Sequence, residues 1–245
     1  MRESPKGYVL VTGASRGIGA GAALVLARSG FNLVLWARSG EELAATAEKC
    51  RTFGVDVRTA IVDVSKDASV RDAGSASIDN LPHLCGCVVN AGIGIWGTTA
   101  ETSMDEWRSV MSTNLDGAFY TMKACLPLIE HSRGQIVMMG SDSGLFGYPG
   151  RIAYCASKSG LNGLVESLRR EVRSKGVRVT NLTMSRVDTF FRAKRPGDRP
   201  SGLSIEEVGE AVGLIFSMPP RVEMRELQLS SINDTFGPFP EMSVS

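Results

Sequence analysis

The stretch YVLVTGASRGIGAGAALVLARSG, residues 8 to 30, decides the fold. Its opening, YVLVT, is a run of aromatic, β-branched and aliphatic residues that suits a buried strand, and IGAGAALVLARSG after it has the length and apolar content of a helix. Between them Gly13, Gly17 and Gly19 make a turn leading straight from strand to helix. Such a junction brings backbone N–H groups and the positive end of a helix dipole to one point, so it can seat a pyrophosphate. Ser15, Arg16 and Ile18 lie inside the same turn and are counted with it. A glycine turn that holds nothing is the competing reading, and the rest of the chain weighs against it.

Outward from that junction the alternation continues. NLVLWA (32–37) precedes the helical EELAATAEKCRTFG, and VRTAIVDV (57–64), CGCVVNAG (85–92), GQIVMMGS (134–141), VRVTNLTM (177–184) and ELQLSS (226–231) follow, separated by helix-length segments. Seven strands joined by helical crossovers predict an α/β fold. The expectation is a single Rossmann-like, doubly wound domain over residues 1–245, with a seven-stranded parallel sheet flanked by helices. Gly30, Gly54, Gly134 and Gly176 each fall between a helical stretch and a strand, where a left-handed helix cap is expected. No repeat, low-complexity tract or linker interrupts the pattern. FRAKRPGDRPSG (191–202), polar, basic and broken by two prolines, reads as a mobile loop, and residues 189–203 are the expected substrate loop.

Composition excludes several partners. Charged residues make up 22% of the 245, with 27 basic against 26 acidic, so no broad field of one sign draws nucleic acid or an anionic membrane. No apolar run is long enough to span a bilayer, and MRESPKGYVL lacks the apolar core of a secretory signal, which points to the cytoplasm. Five scattered cysteines (Cys50, Cys85, Cys87, Cys125, Cys155) form no CxxC pair and are expected as reduced thiols, Cys155 as a small core filler. With His83 and His131 the two histidines, a metal site or a serine–histidine hydrolase is hard to assemble, and no metal is expected.

YCASK, residues 154 to 158, places a phenol and an ammonium one helical turn apart with small residues between. A cation beside a phenol favours phenolate and lowers a pKa that starts near ~10, which makes the tyrosine a usable proton donor. For an isolated pair, an ordinary helix surface is the better reading.

Taken together, TGASRGIG, Asp63, NAG (90–92), Asn114, Ser141 and YCASK resemble the short-chain dehydrogenase/reductase family. Their order and spacing, including thirteen residues from Ser141 to Tyr154, carry the likeness from the first strand to the sixth. Ser143 competes with Ser141 for the serine role, and the spacing favours Ser141. The resemblance implies that Tyr154 protonates the carbonyl oxygen and that Lys158 holds the nicotinamide ribose and biases Tyr154 toward phenolate. It also implies that Ser141 bonds the substrate oxygen and that Asn114 bends its helix and holds a water linking Lys158 to solvent. Asp63 and Val64 then flank the adenine, Asn90, Ala91 and Gly92 back it, and Val187 and Thr189 meet the carboxamide.

At the end of the second strand, where a domain preferring NAD places an acid, stand Ala37 and Arg38. An arginine there suits a 2′-phosphate, Arg16 offers a second cation, and within the family the pair implies NADP(H). Two departures stand out: Met184 and Ser185 occupy the places of the usual Pro-Gly pair, and Val89-Asn90 replaces a double asparagine.

For the substrate, Ile93, Ile95, Trp96, Leu145, Phe146, Phe190 and Phe191 are candidate walls at the carboxyl ends of strands; of these Ile93, Trp96, Phe146 and Phe190, with Ser141, form the expected substrate set. They suggest an apolar substrate body. Arg192, Lys194, Arg195 and Arg199 offer cations on the presumed lid, where a solvated loop is the plainer reading. The expected reaction is NADPH-dependent, reversible reduction of a carbonyl, best a 3-oxoacyl thioester, carrier-linked or free; QLSSINDTFGPFP lacks the glycine-rich ending of many ketoacyl reductases, so 3-hydroxy acids and small aldehydes or ketones stay open. A non-catalytic NADP(H)-binding regulator has no need of Ser141, Tyr154, Lys158 and Asn114 together. Apolar residues around Ala118–Ile129 and Ile152–Leu168 suit the family's four-helix interface, which implies a homodimer or homotetramer.

Overall fold

The strand order β3-β2-β1-β4-β5-β6-β7, parallel throughout, places the first βα junction at the centre of the molecule. The computed structural model describes residues 6–233; the two ends of the 1–245 span, including residues 234–240 of QLSSINDTFGPFP, lie outside them. The strands are β1 (Tyr8–Thr12), β2 (Asn32–Ala37), β3 (Val57–Ile61), β4 (Leu84–Val89), β5 (Gln135–Met139), β6 (Arg178–Met184) and β7 (Glu226–Leu229). Helices α1 (Gly17–Arg28), α2 (Gly40–Arg51), α3 (Asp67–Ser77), α4 (Met104–Met111), α5 (Gly117–Ser132), α6 (Ile152–Val172) and α7 (Ile205–Ser217) run between them.

Both faces of the sheet are covered, which is why its inner strands read as unbroken apolar runs. Val9, Val11, Leu33, Leu35, Val137 and Leu182 pack on one face with α1, α2 and α7. On the other, Leu10, Val34, Trp36, Ile136, Met138 and Val179 pack with α3, α5 and α6. Each fully buried side chain of this size stabilises by about 1.5–3 kcal/mol. Trp36, completely enclosed, donates its indole N–H to Ser77 Oγ at 3.0 Å, so its polar atom is satisfied inside the core.

Several expectations change in detail. The third strand ends at Ile61, so Asp63 and Val64 stand past its end, in the turn before α3. Left-handed glycines cap at 30, 54 and 176, but before β5 that conformation belongs to Arg133 (φ 52). Gly134 is required for another reason: a Cβ there would strike the Cys85 carbonyl on the neighbouring strand. Most apolar residues of Ala118–Ile129 and Ile152–Leu168 pack into this chain's own core, leaving Phe119 and Ile152 exposed. Cys155 is half-buried rather than core. Among the described residues no helix is long and apolar enough to cross a membrane.

Candidate active site

At the carboxyl ends of β1 and β4, where chain order reverses, lies a cavity of about 760 Å³. The glycine turn forms one end. Gly13 and Gly17 both have positive φ, and α1 begins at Gly17. Side chains at these positions would be strained and crowded: a Cβ on Gly17 would come within 2.7 Å of Thr189 Oγ1, and one on Gly13 within 2.9 Å of Asn90 Nδ2. Ser15, Arg16 and Ile18 line the cavity, whereas Gly19 lies behind it and lets α1 approach the Gly13 carbonyl. Asn90 ties β4 to this turn, its amide donating to the Thr12 carbonyl at 2.9 Å, while the Thr12 hydroxyl accepts from the Asn90 and Ala91 N–H groups.

Arg38, exposed at the end of β2, and Arg16 sit at the same end of the cavity. Arg16 pairs with Glu42 at 3.4 Å and lies over the Phe190 ring at 5.6 Å. Asp63 accepts from the Ser65 hydroxyl at 2.7 Å and from its N–H at 3.2 Å. Burial alone would raise its pKa, but these bonds and the charges of Lys66 and Arg38 outweigh it and hold the carboxyl below its ordinary value.

The other end carries Ser141, Tyr154 and Lys158 on the lining, supplied by the turn after β5 and the first two turns of α6. Lys158 is buried and donates to the Met139 carbonyl at 2.7 Å; desolvation pulls its pKa down to about 8. Tyr154 differs from expectation. Burial pushes it up to about 12, a hydrogen bond with Ser141 acts in the other direction, and the Asp142 charge adds to the rise. The ammonium of Lys158 lies 5.8 Å from the tyrosine ring centre and is directed at a carbonyl, while Trp96 (5.1 Å) and Phe191 (5.7 Å) enclose the ring and disfavour phenolate.

Asn114 lies behind the wall, in a π-helical turn (Ser112–Asp116) that kinks the path from α4 into α5. Its Oδ1 accepts from the Ile93 N–H at 2.8 Å, and its Nδ2 donates to the Ile93 carbonyl at 2.9 Å and to Ser157 Oγ at 3.0 Å. It thus fixes the backbone beneath Ile93 and Trp96.

Sequence reasoning missed Asp142, Arg151 and Ser157. The buried Asp142 carboxylate accepts from Ser141 (3.0 Å), Ser143 (3.3 Å) and Tyr148 (3.0 Å). Its position directly after Ser141 was the available signal. Phe146, with Leu145, points outward and does not line the cavity, because the short helical turn Asp142–Gly144 rotates the chain away. Phe191, not Phe190, reaches Tyr154. Ile93 and Trp96 do line the cavity, and Ile95 does not. The loop expected to be mobile is braced: Asp188 accepts from the Gly197 and Arg199 N–H groups at 2.6 and 3.1 Å, and the Arg199 guanidinium donates to the Val187 and Phe191 carbonyls.

The sequence profile of short chain dehydrogenases matches residues 7–199. The chain belongs to the short-chain dehydrogenase family. As a short-chain dehydrogenase it is an oxidoreductase, built on the doubly wound parallel sheet described above. A 3-oxoacyl-[acyl-carrier-protein] reductase of Aggregatibacter actinomycetemcomitans is 34% identical over 74% of this chain and 76% of its own length. Sulfoacetaldehyde reductase 2 of Chromohalobacter salexigens is 31% identical over 94% and 96%. The chain spans 19% of a longer relative, the glycine betaine reductase of Emericella nidulans, at 31% identity. Among solved structures, an alcohol dehydrogenase of Thermococcus sibiricus complexed with 5-hydroxy-NADP superposes with a TM-score of 0.90 and 31% identity, over 94% of this chain and 99% of that one.

The residues present fit a nicotinamide dinucleotide. The glycine cradle leaves room for a pyrophosphate, and Ser185, in the place of the family's usual glycine, lines the cavity with a buried hydroxyl that has no partner among the described residues. A polar group of the cofactor can satisfy it.

Proposed function

We propose that the protein is an NADPH-dependent reductase of a carbonyl substrate, acting reversibly. The observation that carries this reading is the meeting of Tyr154, Ser141 and Lys158 on one wall of a cavity whose far end is the Gly13–Gly17 turn with Arg16 and Arg38. When bound, the cofactor supplies hydride to the carbonyl carbon. Tyr154, kept as the neutral phenol by burial, gives its proton to the carbonyl oxygen. Ser141 gives up its bond to Asp142 and turns its one hydroxyl proton to the same oxygen as charge develops. Lys158 holds the nicotinamide ribose, and its ammonium, with a pKa of about 8, is a ready proton source behind Tyr154. Asn114 keeps Ile93 in place, and Asp63, Val64, Asn90, Ala91, Gly92, Val187 and Thr189 line the cofactor's path.

Preference for NADP(H) rests on Arg38 and Arg16 together, and the solved alcohol dehydrogenase with a bound NADP derivative supports it. For the substrate, a 3-oxoacyl thioester is supported by the relative named 3-oxoacyl-[acyl-carrier-protein] reductase. A second reading, a small aldehyde, ketone or 3-hydroxy acid, is favoured by the ring cluster of Trp96, Phe191 and Tyr154, which narrows the space above the phenol. Exposed Phe119 on α5 and Ile152 on α6 support a homodimer or homotetramer. Absorbance of NADPH followed over a panel of ketones, aldehydes and ketoacyl thioesters, with Tyr154→Phe as control, tests the reading. Turnover by the control equal to wild type, or no turnover of any carbonyl, overturns it.

A further inference from the structure

Arg192 sits beside the reacting end of the cavity in an unfavourable backbone conformation. It has φ 60 and ψ 50, and its neighbour Ala193 has φ 54, so two successive non-glycine residues are left-handed. The braces from Asp188 and Arg199 hold the loop around them. The conformation lays the Arg192 guanidinium over the Trp96 ring, 4.4 Å from its centre, and that ring is in contact with Tyr154. Arg192 is therefore two ring contacts from the proposed proton donor.

Positive charge gathers at this corner. Arg151 lies 5.0 Å from the centre of the same tryptophan ring. Desolvation, and after it the charges of Arg199 and Arg151, pull the Arg192 pKa down, as expected where guanidiniums crowd one another. Asp142, the carboxylate lining this end, already accepts from three hydroxyls, and the Arg199 guanidinium donates to two carbonyls. Among the described residues no carboxylate meets Arg192. Its planar fork, backed by an aromatic face, matches an oxyanion of the ligand. Arg16 and Arg38, at the glycine-turn end, leave Arg192 outside the group assigned to the cofactor's phosphates.

Resting on the carbonyl-reductase reading above, we infer that the substrate is a compact oxoacid, with a carboxylate or sulfonate a few bonds from its carbonyl, which Arg192 receives against Trp96. The test uses the full chain with NADPH and matched pairs of short carbonyl compounds. These are 2-oxo and 3-oxo carboxylic acids, each with its methyl ester, and a sulfonated aldehyde with its uncharged analogue. Wild type is expected to prefer the charged member of at least one pair. In Arg192→Gln the charged-to-neutral ratio of kcat/KM is expected to fall by roughly 10- to 100-fold, mainly through KM, with Arg192→Lys in between. Fluorescence titration with NADPH gives a parallel readout. Reduction of neutral members with no preference for charge, or an unaltered ratio in Arg192→Gln, overturns the inference and leaves the carbonyl reductase standing. Weakened NADPH binding with an unaltered ratio assigns Arg192 to the cofactor and also overturns it. If no member of any pair is reduced, the inference is overturned, and the functional reading falls with it only if the ketones and ketoacyl thioesters of the wider panel are not reduced either.

Discussion

Lys158 donates a 2.7 Å hydrogen bond to the Met139 carbonyl from a site so desolvated that its pKa falls from 10.5 to about 8. In the unfolded chain the ammonium persists to its ordinary value. Below pH 8 folding therefore bears the whole cost of a buried charge, and the cost fades as pH rises toward 10.5. Lys158→Met is expected to gain about 1–3 kcal/mol at neutral pH, measured by urea unfolding, with a smaller gain at alkaline pH. A loss of stability instead would mean that the bond to Met139 outweighs desolvation.

The same ammonium sets a limb of the pH profile. Tyr154 stays protonated up to about 12, so the first group to titrate above neutrality is Lys158. The reductive kcat is expected to decline as pH rises through about 8 with the slope of one proton. Tyr154→Phe is expected to lower kcat by about 10²–10⁴-fold while circular dichroism stays that of wild type.

Asn114 acts on the backbone of Ile93. Asn114→Ala leaves the half-buried Ile93 N–H and carbonyl without their partner, and is expected to cost roughly 1–3 kcal/mol in chemical denaturation. Because Ile93 and Trp96 share a loop, KM for the carbonyl substrate is expected to rise as well. An unchanged unfolding midpoint would contradict this assignment.

Cofactor preference is expected to reside in Arg38 more than in Arg16, whose guanidinium is shared with Glu42. Arg38→Asp should lower the NADPH-to-NADH ratio of kcat/KM by roughly 10- to 100-fold, since a charge-assisted contact is lost and an acid able to bond a ribose hydroxyl is gained. Steady-state kinetics with both cofactors decides it.

Arg133 holds a left-handed cap that glycine adopts without strain. Arg133→Gly is expected to stabilise by about 0.5–1 kcal/mol, read as a raised Tm. Gly134→Ala should do the reverse, because its Cβ meets the Cys85 carbonyl.

These two neighbours illustrate what was legible. Gly134, between helix and strand, reads in the sequence as a left-handed cap, but the chain uses it for room rather than for its φ, and room depends on a strand 49 residues earlier in sequence. Strands β1, β2, β4, β5 and β6 were legible because burial on two faces demands apolar runs. Phe146 was misplaced because loop direction after a strand follows from local turns, such as Asp142–Gly144, that composition does not encode.

By itself the sequence determined the parallel doubly wound class and the glycine turn, which rest on local periodicity or on residues a few positions apart, and the family, which rests on the order and spacing of short motifs from Gly13 to Lys158. Only the tertiary structure decided the environment of each group: that Tyr154 lies among Trp96 and Phe191, that Lys158 faces Met139, and that Asp142 collects three hydroxyls. Desolvation and charge proximity set proton affinities, and both are properties of the space around a side chain, filled by segments far away along the chain.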